Sequence, residues 1–391
     1  MADSMEAVRR LLELRHRSRP EDLPPALAAV APLLGADRIV ALMIDYEQIS
    51  LWPLRGTPGD TDPRKVNDTV AGHAFRTTQP TDEDSCIWLP MLHGAERLGV
   101  LEVSLHTDPD EQLRRDLTVI AALVAELIAS RRFYGDAVEL TRRRMPMQLA
   151  AEIIWNQLPP LTFAANRALV TAVLEPCYDV GGDAFDYAAN GDVLHVALFD
   201  TVGHGISASG LTTLTLNTYR NARRSGLGLA DTYRSIDKWI RSQFPGSFVT
   251  AVLAELDTTT GVYRRIAAGH PAELHLRGEL PMPALPTPTA LPLGLGHMVK
   301  RPPSVTEVLL EPGDTLVLYT DGITEARSAD GELFGVDRLG EFVCAQLSTR
   351  TPAAEMMRCL IHEIVSYENG ELRDDATAAV VQWNPESIEF Q

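Results

Sequence analysis

The sequence predicts an α+β protein of two domains joined by a helical segment, and three observations carry that reading. Towards the C-terminus a pair of helical stretches arrives back to back and strands follow in a run, which breaks βαβ alternation and favours a largely antiparallel sheet. A helical stretch over Asp136–Leu158 stops at Pro159-Pro160, where a residue without an N–H cannot continue a helix, and a domain boundary falls there. The chain has 391 residues, 45% hydrophobic and 23% charged, enough apolar content and length for more than one packed core.

Taken in order, Met1–Leu34 reads as helical and amphipathic, interrupted by Pro20, Pro24 and Pro25. Arg38–Asp45 (RIVALMID) reads as an apolar strand, Arg64–Thr77 as a helix, and Cys86–Leu92 and Leu98–Leu105 as two further strands. Pro109–Arg132 is a long helix with an apolar stripe of Leu113, Leu117, Ile120, Leu123, Val124 and Leu127, continued by Leu149 and Ile153. That stripe exceeds what one small domain needs to bury, so a homodimer through these helices is expected; packing on the domain's own sheet is the alternative. Arg142–Arg144 reads as a solvated helical turn. After residue 165 strands dominate: Asp192–Asp200, Ser247–Asp257, Val262–Ala268, Ala272–Leu276, Asp314–Thr320 and Thr377–Trp383. Helices are expected over Ile206–Arg224, Leu229–Gln243, Val336–Leu347 and Pro352–Tyr367, and the proline-laden Gly278–Pro303 as a flap suited to a protein partner.

Several classes drop out. The longest nearly apolar stretch, Leu117–Ala129, is broken by Glu126 and too short to span a bilayer. The N-terminus is charged throughout and lacks the apolar core of a secretory signal. The four cysteines, Cys86, Cys177, Cys344 and Cys359, show no CxxC spacing, which speaks against structural zinc or a disulfide framework and for a cytoplasmic setting without a membrane partner. A net charge of −18 would repel nucleic acid. No GxxxxGK phosphate loop is present, so a nucleotide-handling enzyme such as a cyclase is disfavoured.

Residues 1–150 are net −5 and residues 151–391 net −13. The excess acid in the latter region is either solubilising or converges on a cation. Four acidic signatures close strands there: Gly181-Gly182-Asp183 with Asp186 nearby, Asp200-Thr201-Val202-Gly203-His204-Gly205, Thr320-Asp321-Gly322 with Glu325, and Asp374-Asp375-Ala376-Thr377. A carboxylate closing a buried strand is costly unless paired or bound to a cation. One such residue is commonly a turn-former or helix cap; four, each beside a small residue, point further. All-oxygen ligation without His or Cys suits Mg²⁺ or Mn²⁺ over zinc.

The order of motifs then becomes recognisable. VGGDAFDY, FDTVGHGISAS, AAGHPAEL, PLGLG, LEPGDTLVLYTDGITEAR, FGVDRL and DDATAAVV run in sequence from Val180 to Val381. The series resembles the metal-dependent protein phosphatase (PPM) family, SpoIIE/RsbU branch, over essentially all of residues 145–383. Leu140–Pro160 resembles the short helix that precedes such catalytic domains, and TVAGHAFRTTQP followed by an LPM strand and RLGVLEV resembles the second half of a GAF domain. The organisation implied is a GAF-like regulatory α/β sensor domain over 1–135, a linker helix over 136–160, and over 161–391 a PPM phosphatase β-sandwich flanked by helices.

The resemblance implies hydrolysis of phosphoserine or phosphothreonine on a regulatory protein of the anti-sigma-factor-antagonist type, under control of the N-terminal domain, whose small ligand, if there is one, is left open. It implies two Mn²⁺ or Mg²⁺ ions. Position by position, Asp183, Asp200, Asp321 and Asp374 correspond to the metal-binding and catalytic carboxylates and the Thr201 carbonyl to a further ligand; the Asp374-Asp375 pair leaves the last position open to either residue. His204 is either a general acid or a packing residue, His270 is expected to hold a turn, and Asp186 and Glu325 either orient waters or lie on the surface. The chain departs from the family where GDVSGHG becomes FDTVGHG, with Phe199 adding bulk beside a ligand aspartate, and no arginine precedes GGD. These departures keep alive a rival reading, a catalytically weak phosphatase-like scaffold that binds its partner without turnover.

Overall fold

The structure, a computed structural model, describes residues 3–14, 19–59, 62–165, 167–179, 181–286, 290–300, 302–370 and 372–384. The chain divides into two compact units, Met1–Pro146 and Met147–Phe390.

In the N-terminal unit, α1 (Ser4–Glu13) and α2 (Leu23–Val30) lead into β1 (Ala36–Ile44), β2 (Ser50–Pro53), β3 (Arg64–Lys65), α3 (Val70–Thr77), β4 (Thr81–Glu83), β5 (Cys86–His93), β6 (Glu96–Leu105), α4 (Glu111–Arg131) and α5 (Ala137–Arg142). The strands form one antiparallel sheet in the order β3-β2-β1-β6-β5-β4. Successive side chains of a strand face opposite sides, and both faces of β1 are covered. Ile39, Ala41 and Met43 pack with α1, α2 and α4, while Val40, Leu42 and Ile44 pack with Phe75 of α3 and Trp88. This is why RIVALMID is continuously apolar.

The stripe on α4 is consumed by the same core. Leu117, Ile120, Val124 and Leu127 are buried beside Ile87, Leu89 and Leu101 of the sheet, so the packing that is the alternative to a helix-mediated dimer is the one observed. Leu149, the supposed continuation, is exposed in the other unit.

The expected linker helix over Asp136–Leu158 is replaced by two short helices, α5 and α6 (Leu149–Trp155). Arg143 is extended (φ −78°, ψ 127°), and Pro146 disfavours helical backbone in the residue before it. Arg142 and Arg144 are also not a solvated turn. Their guanidinium groups lie over the Tyr46 and Trp52 rings at 4.3 and 4.1 Å from the centroids, a cation–π pairing within the first unit.

The C-terminal unit continues with β7 (Thr162–Ala165), β8 (Ala168–Glu175), β9 (Ala184–Asn190), β10 (Val193–Thr201), α7 (Gly205–Arg224), α8 (Leu229–Gln243), β11 (Val249–Asp257), β12 (Val262–Ala268), β13 (Leu274–Arg277) and β14 (Leu280–Pro281). It is completed by β15 (Thr306–Leu309), β16 (Asp314–Tyr319), α9 (Asp321–Thr324), α10 (Gly335–Ser348), α11 (Ala353–Tyr367) and β17 (Ala376–Trp383). Two antiparallel sheets result, β15-β12-β11-β10-β9 and β14-β13-β16-β17-β8-β7. Phe185, Leu198, Val252, Leu316, Leu318 and Val381 fill the space between them. Helices α7 and α8 cover the outer face of the first sheet through Phe199, Tyr219 and Ile236; α10 and α11 cover the second through Val317, Val343 and Met357. The sandwich flanked by helices is the architecture the sequence predicts.

The stretch Gly278–Pro303 is stitched down on both sides and is not a free flap. The buried Arg265 bonds the carbonyls of Leu285 and Pro286 at 3.3 and 3.2 Å, and the Tyr233 hydroxyl donates to the Leu291 carbonyl at 2.7 Å. Asp237 accepts from the amides of Gly294 and Gly296 at 2.9 and 2.7 Å. Residues 287–289 and 301 of this stretch lie outside the described residues. Among the described residues no helix is long and apolar enough to cross a membrane.

Candidate active site

Strand alternation sorts the acidic motifs. Phe185 and Tyr187 face the space between the sheets, and Asp183, just before β9, shares their parity; Ala184 and Asp186 face the helices. Asp186 is accordingly neither a surface residue nor an orienter of water at the acidic edge. It is buried and accepts from Arg220 Nη2 at 2.7 Å and from Arg223 Nη1 at 2.8 Å, both on α7. On β10, Leu198 faces the intersheet core and Phe199 the helices, where it meets the Tyr219 ring edge-on with centroids 5.7 Å apart. Asp200 takes the parity of Leu198, so the bulk of Phe199 is directed away from it.

The carboxylates influence one another across the sandwich. Asp183 is pushed well above the usual carboxylate range, by burial first and then by Asp375 and Asp200. Asp200 is pushed up to about 6, again by burial first, then by Asp321, with Asp374 and Asp375 adding to it. Burial also raises Asp321, helped by Asp374 and Glu325. Among the described residues no Lys or Arg figures among the strongest influences on these groups. Asp321 and Asp374 are exposed, Asp200 is half-buried and Asp183 is buried, so the cluster runs from the intersheet space out to solvent. Among the described residues no three such side chains are drawn together closely enough to hold an ion.

The turn bearing Asp183 is folded by another acid. Asp375 Oδ1 accepts from the Gly181 amide at 2.7 Å, and its Oδ2 accepts from the Gly182 and Asp183 amides at 2.6 and 3.0 Å. These bonds work against the effect of burial, which still leaves Asp375 raised. The chains approach so closely here that side chains would not fit. A Cβ on Gly182 would meet the Thr201 carbonyl oxygen at 2.8 Å, and one on Gly322 would overlap the Asp375 carbonyl oxygen at 1.9 Å. Thr201 itself is buried, its hydroxyl 2.8 Å from that of Thr212 on α7.

Two hydroxyls that the sequence does not mark touch the acidic residues. Thr320 Oγ1 donates to Asp183 Oδ2 at 2.8 Å. Thr250, paired directly across β10–β11 with Asp200, lies 3.1 Å from Asp200 Oδ2 and 2.8 Å from His270 Nδ1, so its single hydrogen serves one of them at a time. A lone threonine inside the apolar run FVTAVL is the available signal for Thr250.

His270 is buried, with Nε2 3.0 Å from the Tyr319 carbonyl, and it holds β12 to β16 as expected. His204 stands exposed at the N-cap position of α7 and its side chain does not cap the helix; Glu325 is exposed after α9. Burial lowers His270 from 6.5 to about 4. Between those values the unfolded chain binds more protons than the folded one, so the contribution of His270 is full above pH 6.5 and is lost as pH falls toward 4. A His270→Gln variant should therefore show a shallower fall in melting temperature from pH 6.5 to 4 than the wild type. Equal slopes would show that His270 takes up its proton in the folded protein.

Comparison with known proteins follows the same line. Residues 190–384 match the family described as Stage II sporulation protein E (SpoIIE), a span that includes Asp200, Asp321 and Asp374 and begins after Asp183. Protein IcfG of Synechocystis is 24% identical over 271 residues, covering 62% of this chain and 42% of that protein. Phosphoserine phosphatase RsbU of Bacillus subtilis is 22% identical over 218 residues, covering 54% of this chain and 62% of that protein. The chain thus spans less than two thirds of the length of either relative. The SiaA-PP2C domain of Pseudomonas aeruginosa shares the fold, with a TM-score of 0.51 and 20% identity over 66% of this chain and 100% of that domain. Residues 190–384, which hold most of the double sheet and three of the four acidic motifs, form a SpoIIE family domain.

Proposed function

We propose that the chain is a metal-dependent protein serine/threonine phosphatase acting on a phosphorylated regulatory protein of the anti-sigma-factor-antagonist type, with the N-terminal unit as a GAF-like regulatory domain. The observation that carries the reading is the set of carboxylates from both sheets that repel one another at one edge of the sandwich, with no basic side chain among the described residues as a strong influence. Such a set is stabilised by a cation, and an all-oxygen donor set fits Mn²⁺ or Mg²⁺. Asp183, Asp200, Asp321 and Asp374, with the Thr201 carbonyl, are the residues that would hold a pair of these ions. Asp375, with both oxygens engaged by amides, suits an anchoring role better than a ligand's. When bound, a pair of divalent ions lowers the pKa of a water and offsets charge on a transferring phosphoryl group.

The protein's own residues supply the rest. Asp321 and Asp374 face solvent, which leaves the edge open to a phosphorylated side chain on a protein surface. Cys177, the cysteine nearest the first motif, is buried with its Sγ 2.8 Å from Glu175 Oε1, so attack by water without a covalent phosphoenzyme suits the site. The kinship with RsbU, a phosphoserine phosphatase, supports the substrate class. Initial rates on p-nitrophenyl phosphate with Mn²⁺ and with excess chelator are the test. Turnover that requires Mn²⁺ is expected. Rates unaffected by chelator would overturn the metal, and absence of turnover on both this ester and a phosphoserine protein would favour the scaffold.

A further inference from the structure

We propose that Thr320 is a positioning residue that clamps Asp183 across the two sheets, with Asp375 as the anchor on the other side of the same turn. The inference rests on the reading of Asp183 as an ion ligand and adds to it the device that presents this side chain.

The polarity of the clamp follows from its partners. The Thr377 amide, on β17, donates to Thr320 Oγ1 at 3.0 Å. With that lone pair occupied, the single hydroxyl hydrogen is free to be given elsewhere. Three acceptors lie near: Asp183 Oδ2 at 2.8 Å, and the carbonyls of Asp375 and Thr377, both at 3.4 Å. The nearest is the carboxylate, and a charge-assisted bond is the stronger choice. Thr320, just after β16 in one sheet, therefore reaches the residue just before β9 in the other. It is fully buried, so water does not substitute for it.

Asp375 completes the frame. Its two oxygens take the three successive amides of Gly181, Gly182 and Asp183, fixing the backbone on which Asp183 stands. Backbone and one carboxylate oxygen are thus both held from the second sheet, and the Thr377 side chain also favours the charged form of Asp183. Partners of this kind, one step removed from the metal, typically set about 10–100-fold in metal affinity.

The test is Mn²⁺ binding by titration calorimetry on the full chain, which needs no turnover, with melting temperature as the check on folding. Thr320→Val keeps the shape and removes the donor; Thr320→Ser keeps the donor; Thr320→Ala serves if the valine variant does not fold. Binding weakened about 10–100-fold in Thr320→Val or Thr320→Ala, with Thr320→Ser close to wild type, is the expected result. Loss in the serine variant as large as in the valine variant would assign Thr320 to packing and overturn the clamp. Wild-type affinity in Thr320→Val, alongside loss in Asp183→Asn, would overturn the clamp and leave the ion site standing. A wild-type chain that binds no Mn²⁺ would overturn the ion site, and the clamp with it.

Discussion

Asp321→Asn and Asp200→Asn are each expected to lower Mn²⁺-dependent turnover of an aryl phosphate by about 10²–10³-fold, without lowering the melting temperature of the ion-free protein. The rate loss is that of one preorganised electrostatic contact, roughly 3–4 kcal/mol. The expectation for stability follows from the direction of the shifts. Burial and the neighbouring carboxylates raise Asp200 to about 6 and hold Asp321 above its ordinary value. Each charge is therefore carried at a cost in the ion-free state, and the amide of asparagine removes that cost while keeping the shape. Initial rates and calorimetric scans on the same preparations check both expectations. Variants with wild-type turnover would remove these residues from the active site. Variants that unfold would show that the two carboxylates hold the fold instead.

Asp186→Ala is expected to do the reverse: a large loss of stability, traceable to uncompensated buried charge. Its carboxylate is almost fully enclosed, and it answers two guanidinium groups at once. Arg220 also donates to the Gln157 carbonyl at 2.6 Å, and so ties the segment after α6 to α7 and β9. Removing the acid leaves two cations facing each other in a poorly solvated pocket, a change that typically costs about 3–5 kcal/mol. Urea unfolding of the full chain, followed by tryptophan fluorescence, should show the transition of the C-terminal unit moved to lower denaturant. An unchanged midpoint would mean that water reaches the guanidinium groups and replaces the carboxylate.

Much of this architecture is legible in the sequence because it is written in local patterns. Apolar runs of strand length, paired helices and breaking prolines give the sandwich and its flanking layers, and Asp200 and Asp321 stand at strand ends where the pattern puts them, whereas β9, which Asp183 precedes, is too short of apolar residues to stand out as a strand. What is not legible depends on which face a residue occupies and on partners far along the chain. Asp186 lies three residues from Asp183 and shares its motif, yet it is turned to α7, and its partners Arg220 and Arg223 are more than thirty residues away. A continuous interdomain helix is the wrong expectation because helical periodicity runs on through Arg143–Gln148, while Pro146 and the ring contacts of Arg142 and Arg144 decide the backbone. The apolar stripe on α4 looks surplus in the sequence because a sheet covered on both faces needs more partners than its length suggests.

The opposite facing of Phe199 and Asp200 has an evolutionary consequence. Adjacent codons here answer to different constraints: position 199 to the packing of the helical layer, position 200 to the acidic edge of the sandwich. A change at 199 has to be met by Tyr219, whose ring it abuts, and by the rest of that helical core. A lineage can therefore rewrite the residue beside Asp200, and blur the motif by which its kin are recognised, while the aspartate itself stays where it was.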